Sequence, residues 1–241
     1  MNSASELYRA MLRDVVSGGY MRESSDKVSP LQVKTVEAEF GLSYTLRSPS
    51  LNVVACRRVD LRWAAANLLH FFACTEDAGV LRNYNRHADR FLTDDRLVGA
   101  YGPIAVPQIE TCIQLLKSSP QSRRAVVSMG PLGYQDQNQP PCWSMLHFLV
   151  QKDRLHLFVY QRSLNLTGVM PYDCVLLTNT LLYAAERLGV PADRLHWTVG
   201  SLHAPVDSKN ELPESGVQSI VYPAAVLGDP HRCLKLLEDG V

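Results

Sequence analysis

The 241-residue chain has no apolar run of membrane-spanning length, no Cys-x-x-Cys pair, no His-rich ligand spacing and no excess of either charge. Each absence removes a class of function. Lys plus Arg and Asp plus Glu both number 24, so no global field draws the chain to nucleic acid or to an anionic membrane surface. Any anion site must therefore be local. The six cysteines (Cys56, Cys74, Cys112, Cys142, Cys174, Cys233) are scattered. That pattern argues against a metal centre and against a disulfide framework, and fits reduced thiols in a cytoplasm. The opening MNSASELYRAML is amphipathic and carries Glu6, unlike a secretory leader. No repeat and no long linker divides the chain, so residues 1–241 are expected to form a single domain. With 46% hydrophobic and 20% charged residues it has the composition to bury a sizeable core.

Periodicity supplies the elements. Ser3 or Ser5 caps a first helix with Leu7, Met11, Leu12 and Val15 on one face, ended by Gly18-Gly19. Alternation and β-branched residues predict one strand over residues 33–46. Nearly all-apolar LRWAAANLLHFF (residues 61–72) predicts a buried helix. Further helices are expected over about 78–90 and 104–116, the second stopped before Ser119-Pro120. RRAVVSM, WSMLHFLVQ and LHLFVYQRS read as strands, the last two joined by a turn at Lys152-Asp153. The longest helix spans 172–188, with Val175, Leu176, Leu182, Ala185 and Leu188 as its buried stripe and Gly189 beyond its end. RLHWTVGSLH is a further strand; a polar loop, a short strand QSIVY and a closing helix after Asp229-Pro230 complete the chain. The strands look antiparallel and no strict βαβ rhythm appears, which makes the class α+β.

Chemistry gathers around QPPCWS, residues 139–144, where two prolines stiffen the approach to Cys142 and a strand begins beyond it. A lone cysteine is more often a packed hydrophobe than a nucleophile, so the partners decide. They are Ser122-Arg123-Arg124, QRSLNLTGVMPYD (161–173) and GSLH (200–203). Each is weak alone. In the order SRR, PPC, QRS, PYD, H, at these separations, the set resembles the thymidylate synthase family of pyrimidine-nucleotide C5-modifying enzymes. LRWAAANLLHFF resembles the family helix written E-L-L-W-F-L, and VGAYG resembles its G-P-V-Y-G loop; the last fifth of the chain matches less well.

The resemblance implies a mixed β-sheet packed with helices and a sheet-to-sheet homodimer with shared active sites. It implies that a pyrimidine nucleoside 5′-monophosphate is the substrate and 5,10-methylenetetrahydrofolate the cofactor. Cys142 then matches the thiolate that adds to pyrimidine C6 and makes C5 nucleophilic, with Arg162 as the cation that lowers its pKa. Arg162 and Ser163, with Arg123 and Arg124 from the other subunit, match the phosphate ligands. Arg22 is a weaker phosphate candidate, because the expected R-T-G-T-G loop is absent. Tyr101 matches a loop tyrosine associated with proton removal from C5; a packed aromatic is the alternative. His203 matches the histidine that contacts the sugar, but the companion tyrosine two residues on is Pro205, so the sugar type stays open.

The base-reading element is P-F-N in thymidylate synthases and PYD here, which assigns Asp173, with Gln161, to the base. An ionised carboxylate only accepts hydrogen bonds. It suits the 4-amino group of cytosine and opposes O4 of uracil, at a cost of about 1–3 kcal/mol. Asp173 thus resembles the base reader of the deoxycytidylate and cytidylate hydroxymethylases, although an acid in the first turn of a helix is also favoured by the helix dipole. The cofactor side departs from the family. Its glutamate falls on Asn67, its pterin-contacting aspartate on Asn165, and its two folate-facing tryptophans on Tyr84 and His87. Trp143 replaces the histidine that commonly follows the nucleophile. The expected enzyme is a cytosine-nucleotide C5-hydroxymethylase, a one-carbon transferase. Alternatives are a folate-independent thiolate-assisted reaction at C5 and a catalytically silent nucleotide-binding homologue.

Overall fold

The computed structural model describes residues 1–23, 34–39, 41–47, 54, 56, 59–84, 92, 96–97, 99–130 and 140–206. The first helix, α1 (Ala4–Gly18), is capped by Ser3, whose hydroxyl accepts from the Glu6 N–H at 3.2 Å. Ser3 rather than Ser5 is therefore the cap. Ala4, Leu7, Tyr8, Met11 and Val15 are its buried residues. Strand β1 (Tyr20–Glu23), which the sequence reading missed, follows Gly19 directly.

The strand expected over 33–46 is two strands, β2 (Lys34–Glu37) and β3 (Leu42–Arg47). Both pair antiparallel with successive parts of the same long strand, β7 (Ala192–Pro205): β2 with Thr35 opposite Pro205, β3 with Leu42 opposite Val199. The chain breaks between them at Gly41, where a Cβ would sit 3.1 Å from the Val199 carbonyl oxygen. Alternation alone did not show the break.

The remaining strands are β4 (Val126–Ser128), β5 (Trp143–Gln151) and β6 (Arg154–Asn165). The sheet order is β1-β2-β7-β6-β5-β4, with β3 also on β7. Lys152 and Asp153 turn β5 into β6 with φ of 52° and 56°. The antiparallel reading needs one correction: β6 and β7 are parallel. Between them runs α5 (Met170–Leu188), the crossover that a parallel pair requires. Side-chain alternation reports which face a residue takes and carries no information about strand direction.

Helix α5 is not the one-striped helix its periodicity suggests. Every residue from Asp173 to Leu181 is buried, whereas Leu182 and Leu188 are only partly so. Its polar residues are satisfied inside the helix: Thr178, Asn179 and Thr180 donate to the carbonyls of Cys174, Val175 and Leu176 at 2.7, 2.8 and 2.8 Å. Gly189 closes it at φ 70°, the left-handed position that favours glycine. Helix α2 (Leu61–Phe72) runs as expected, with Asp60 capping the Arg62 and Trp63 N–H groups. Short helix α3 (Gly79–Tyr84) covers the start of the helix expected over 78–90; residues 85–90 lie outside the described residues.

Helix α4 (Tyr101–Ser118) begins three residues before its expected start at Ile104. Pro103 is accommodated because the first turn has no intrahelical use for its missing N–H. At Gly102 the helix lies against α2 so closely that a Cβ would be 2.3 Å from the Phe71 carbonyl oxygen. This contact brings Tyr101 to the entrance of β5. The helices α1, α2, α4 and α5 share one apolar cluster with the inner sheet face, including Phe71, Trp143, Phe148, Leu157 and Trp197. The expected strand QSIVY, the closing helix and Cys233 lie outside the described residues. Among the described residues no helix is long and apolar enough to cross a membrane.

Candidate active site

Cys142 stands immediately before β5, and the prolines ahead of it do more than stiffen the chain. Their carbonyls accept from one guanidinium: Arg162 Nε reaches Pro141 O at 3.1 Å and Arg162 Nη2 reaches Pro140 O at 2.8 Å. The Arg162 backbone N–H donates to the Cys142 carbonyl at 2.9 Å. Arginine and cysteine are thus locked as a unit across the β5–β6 pair. From α4, Tyr101 Oη accepts the Cys142 N–H at 3.3 Å.

Arg162 lowers the Cys142 pKa as expected, but burial outweighs it, and the net direction is upward, with Asp173 adding to the rise. Arg162 moderates the thiol but does not by itself make it a thiolate. Burial likewise raises Tyr101 well above the usual phenol range, with the Asp173 and Cys142 charges adding to it.

Asp173 sits in the first turn of α5 and is 5% exposed. Burial lifts its carboxyl from 3.8 to about 7, against the pull of the helix N-terminus toward the anion. Its Oδ2 accepts from Gln161 Nε2 at 2.9 Å, and the same amide nitrogen donates to Ser163 O at 3.0 Å. Gln161 Oε1 in turn accepts from Trp197 Nε1 at 3.0 Å. An indole N–H is donor only, so Trp197 orients the Gln161 amide and turns its donor end toward Asp173. The sequence reading did not include Trp197. The one available signal was its inward position on the alternating strand RLHWTVG.

Trp143, 1% exposed, is directly opposite Gln161 in the β5–β6 register. Its ring lies 4.4 Å from that of Tyr101, tilted by 31°, and meets the edge of Phe71 at 6.0 Å. Its indole N–H has no hydrogen-bond partner. It nevertheless lies near enough to the Asp173 carboxyl to favour the ionised form.

The other candidate residues divide. Ser163 is in register with Ser201, and Asn165 with His203, along the parallel β6–β7 pair. His203 also faces Glu37 of β2. Burial lowers the His203 pKa, opposed by the Glu37 charge. Arg22 forms an ion pair with Glu37 at 2.8 Å. Burial opposes ionisation of Glu37, but hydrogen bonds from Arg22 and Ser201 hold its carboxyl below the usual range. Arg123 and Arg124 are exposed beside the edge strand β4 and make no ion pair among the described residues.

On the cofactor side, Asn67 Nδ2 donates to Trp63 O at 2.7 Å, and Asn165 Oδ1 accepts the Gly168 N–H at 2.9 Å. Asn165 therefore shapes the turn between β6 and α5. Tyr84 packs with Ala66, Leu81, Trp63 and Leu97 in a small cluster of its own. His87 lies outside the described residues. An amide can donate and accept hydrogen bonds but cannot do acid–base work, so neither asparagine supplies proton-transfer chemistry.

The cysteine held by an arginine, the buried acid of α5 and the histidine on β7 all fall within residues 6–214, which match the family model described as thymidylate synthase. The chain belongs to the thymidylate synthase family, whose members transfer one-carbon units to pyrimidine nucleotides.

Proposed function

We propose that the protein is a cytosine-nucleotide C5-hydroxymethylase acting on CMP or dCMP. The observation that carries the reading is Asp173. It is a buried acid at the base-reading position, and Gln161 takes up its Oδ2. That leaves Oδ1 to meet the exocyclic group at pyrimidine C4. As an anion Oδ1 accepts from a 4-amino group and opposes a 4-carbonyl.

Cys142 adds to C6, which makes C5 a nucleophile. Asn67, Asn165, Tyr84 and His87 would hold methylenetetrahydrofolate, which would supply the one-carbon unit. Once the C5 proton and the folate amine had left, water would add at the exocyclic methylene carbon and the Cys142 thiolate would be expelled from C6, giving the hydroxymethyl product. The charge of Asp173 raises the thiol pKa. A proton shared between Asp173 and cytosine N3 therefore lowers that barrier to thiolate formation and couples base recognition to activation of Cys142. Tyr101 accepts the Cys142 N–H and holds that strand entrance in place. Arg162 and Ser163 bind the 5′-phosphate and His203 the sugar.

Arg123 and Arg124 complete the site from a second subunit. The β4–β5 register puts Val126 opposite His147 and Ser128 opposite Met145. Extended back to Arg124, it separates the pair from Cys142 of the same chain by roughly 20 Å of strand, farther than an arginine reaches. The sheet face turned away from the helices supports a partner. Met145 and Tyr160 are exposed there at 38% and 42%, beside the Phe158–His196 stack at 4.3 Å.

Release of tritium from C5-labelled CMP, dCMP and dUMP, with and without methylenetetrahydrofolate, tests the reading. Release only with cofactor and only from a cytosine nucleotide is expected. Cofactor-independent turnover would refute it and favour thiolate chemistry without folate. No turnover with retained nucleotide binding would favour the silent homologue.

A further inference from the structure

We propose that Trp197 is a specificity-determining positioning residue: through the Gln161 amide it pins Oδ2 of Asp173 as an acceptor, so that any proton on the carboxyl is carried by Oδ1, the atom that reads the base. The inference rests on the cytosine reading of Asp173 given above.

Three hydrogen bonds carry it. Trp197 Nε1 donates to Gln161 Oε1 at 3.0 Å. Gln161 Nε2 donates to Asp173 Oδ2 at 2.9 Å and to Ser163 O at 3.0 Å. An indole only donates, and an amide has one accepting end and one donating end. With Trp197 at its oxygen, Gln161 turns both N–H groups the other way, and the Ser163 carbonyl and Asp173 take them. Trp197 and Gln161 are 1% and 0% exposed, so a turned amide would find no bulk water to replace these partners. It would set Nε2 against the indole N–H and its oxygen against the Ser163 carbonyl.

The pinned oxygen decides where a proton goes. A proton on Oδ2 would meet the Gln161 N–H, donor against donor, so the carboxyl is protonated at Oδ1. Ionised, Oδ1 accepts from a 4-amino group and opposes a 4-carbonyl. Protonated, it donates to a 4-carbonyl and uracil is admitted. Burial lifts the Asp173 pKa to about 7, so uracil gains on cytosine as the pH falls through neutrality. The titratable groups around the carboxyl do not share the step. Cys142 at the entrance of β5, Tyr101 of α4 and Cys174 of α5 are all raised by burial and stay neutral there. Arg162 of β6 turns its guanidinium to the Pro140 and Pro141 carbonyls and stays charged throughout. Without the indole N–H, Ser163 O alone opposes the turn. A turned amide accepts a proton held on Oδ2, and Oδ1 then stays an acceptor in both protonation states. Base preference loses its pH dependence.

The test measures calorimetric affinities for CMP, UMP, dCMP and dUMP from pH 6 to 8.5. The readout is the uracil-to-cytosine affinity ratio within each sugar, in which the shared 5′-phosphate cancels. The proteins are wild type, Trp197→Phe and, to keep ring size, a protein with benzothienylalanine at position 197, which has sulfur in place of N–H. In the wild type the ratio is expected to rise at least about tenfold from pH 8.5 to pH 6, and in both replacements by less than about threefold. Gln161→Met, which removes the amide, should flatten the profile as well, and Trp197→Phe added to it should change nothing further. A benzothienylalanine protein with the wild-type profile overturns the role of Trp197 and leaves the reading of Asp173 intact. A wild type that prefers cytosine with a flat profile does the same. A rise that persists in Asp173→Asn belongs to another group and overturns the pinned proton. A wild-type protein that prefers uracil nucleotides at every pH overturns the reading of Asp173 and the proposal with it.

Discussion

Asp173→Asn should make the protein more stable at neutral and alkaline pH, by an amount the structure specifies. The folded-state pKa of Asp173 is about 7, raised by burial from 3.8. The folded chain therefore binds this proton more tightly than the unfolded chain does. Below about pH 4 both states are protonated and the shift costs nothing. From there to about pH 7 the unfolded state ionises while the folded state resists, and stability falls; above pH 7 the full cost is present. A rise of about three units corresponds to roughly 4 kcal/mol. Asparagine keeps an oxygen for Gln161 and has no charge to bury, so its own contribution does not vary with pH. Urea unfolding of both proteins between pH 4 and 8.5 should show the difference moving toward the variant by about that amount. In thermal melts the same change is about 8–16 °C at 2–4 °C per kcal/mol. Because the Asp173 charge also raises Cys142, alkylation of Cys142 at pH 7, mapped by mass spectrometry, should be faster in the variant. A stability difference that stays flat from pH 4 to 8.5 would refute the buried, proton-holding acid.

Cys142→Ser should lose tritium release by at least about a thousandfold while binding CMP within a few-fold of wild type; full turnover would remove Cys142 as nucleophile. Asp173→Asn should shift nucleotide preference toward uracil, read from the ratio of kcat/KM values; an unchanged ratio would remove Asp173 as base reader. Inactive Cys142→Ser and Arg124→Ala proteins, mixed under conditions of confirmed subunit exchange, should recover partial activity through hybrid sites, and no recovery would argue against shared sites. Gly102→Ala should destabilise by about 2–3 kcal/mol in chemical denaturation, because the added Cβ meets the Phe71 carbonyl at 2.3 Å; an unshifted midpoint would deny the close approach of α2 and α4.

Cys142, Arg162 and Asp173 were legible in the sequence as a set because each lies in a short, ordered motif: PPC, QRS and PYD. Elements dominated by their own local pattern were legible too. The nearly all-apolar α2 and the β5–β6 hairpin fall where periodicity puts them. Quantities that depend on what surrounds a residue were not. Arg162 suggested an acidic thiol, yet burial outweighs it at Cys142, and desolvation is a property of packing. Arg22 was an open cation until β1 and β2 paired and set Glu37 against it.

The sequence by itself determined which reactive groups the chain carries and the order in which strands and helices present them, since these follow from residue identity and local spacing. Tertiary structure decided their states and partners. The parallel β6–β7 pair, made through α5, brings Trp197 to Gln161 and Gln161 to Asp173, groups separated by 36 and 12 residues. The same burial that completes the core raises the acid's pKa to about 7. Burial and long-range contact arise only when distant segments meet, and they set the protonation on which this site depends.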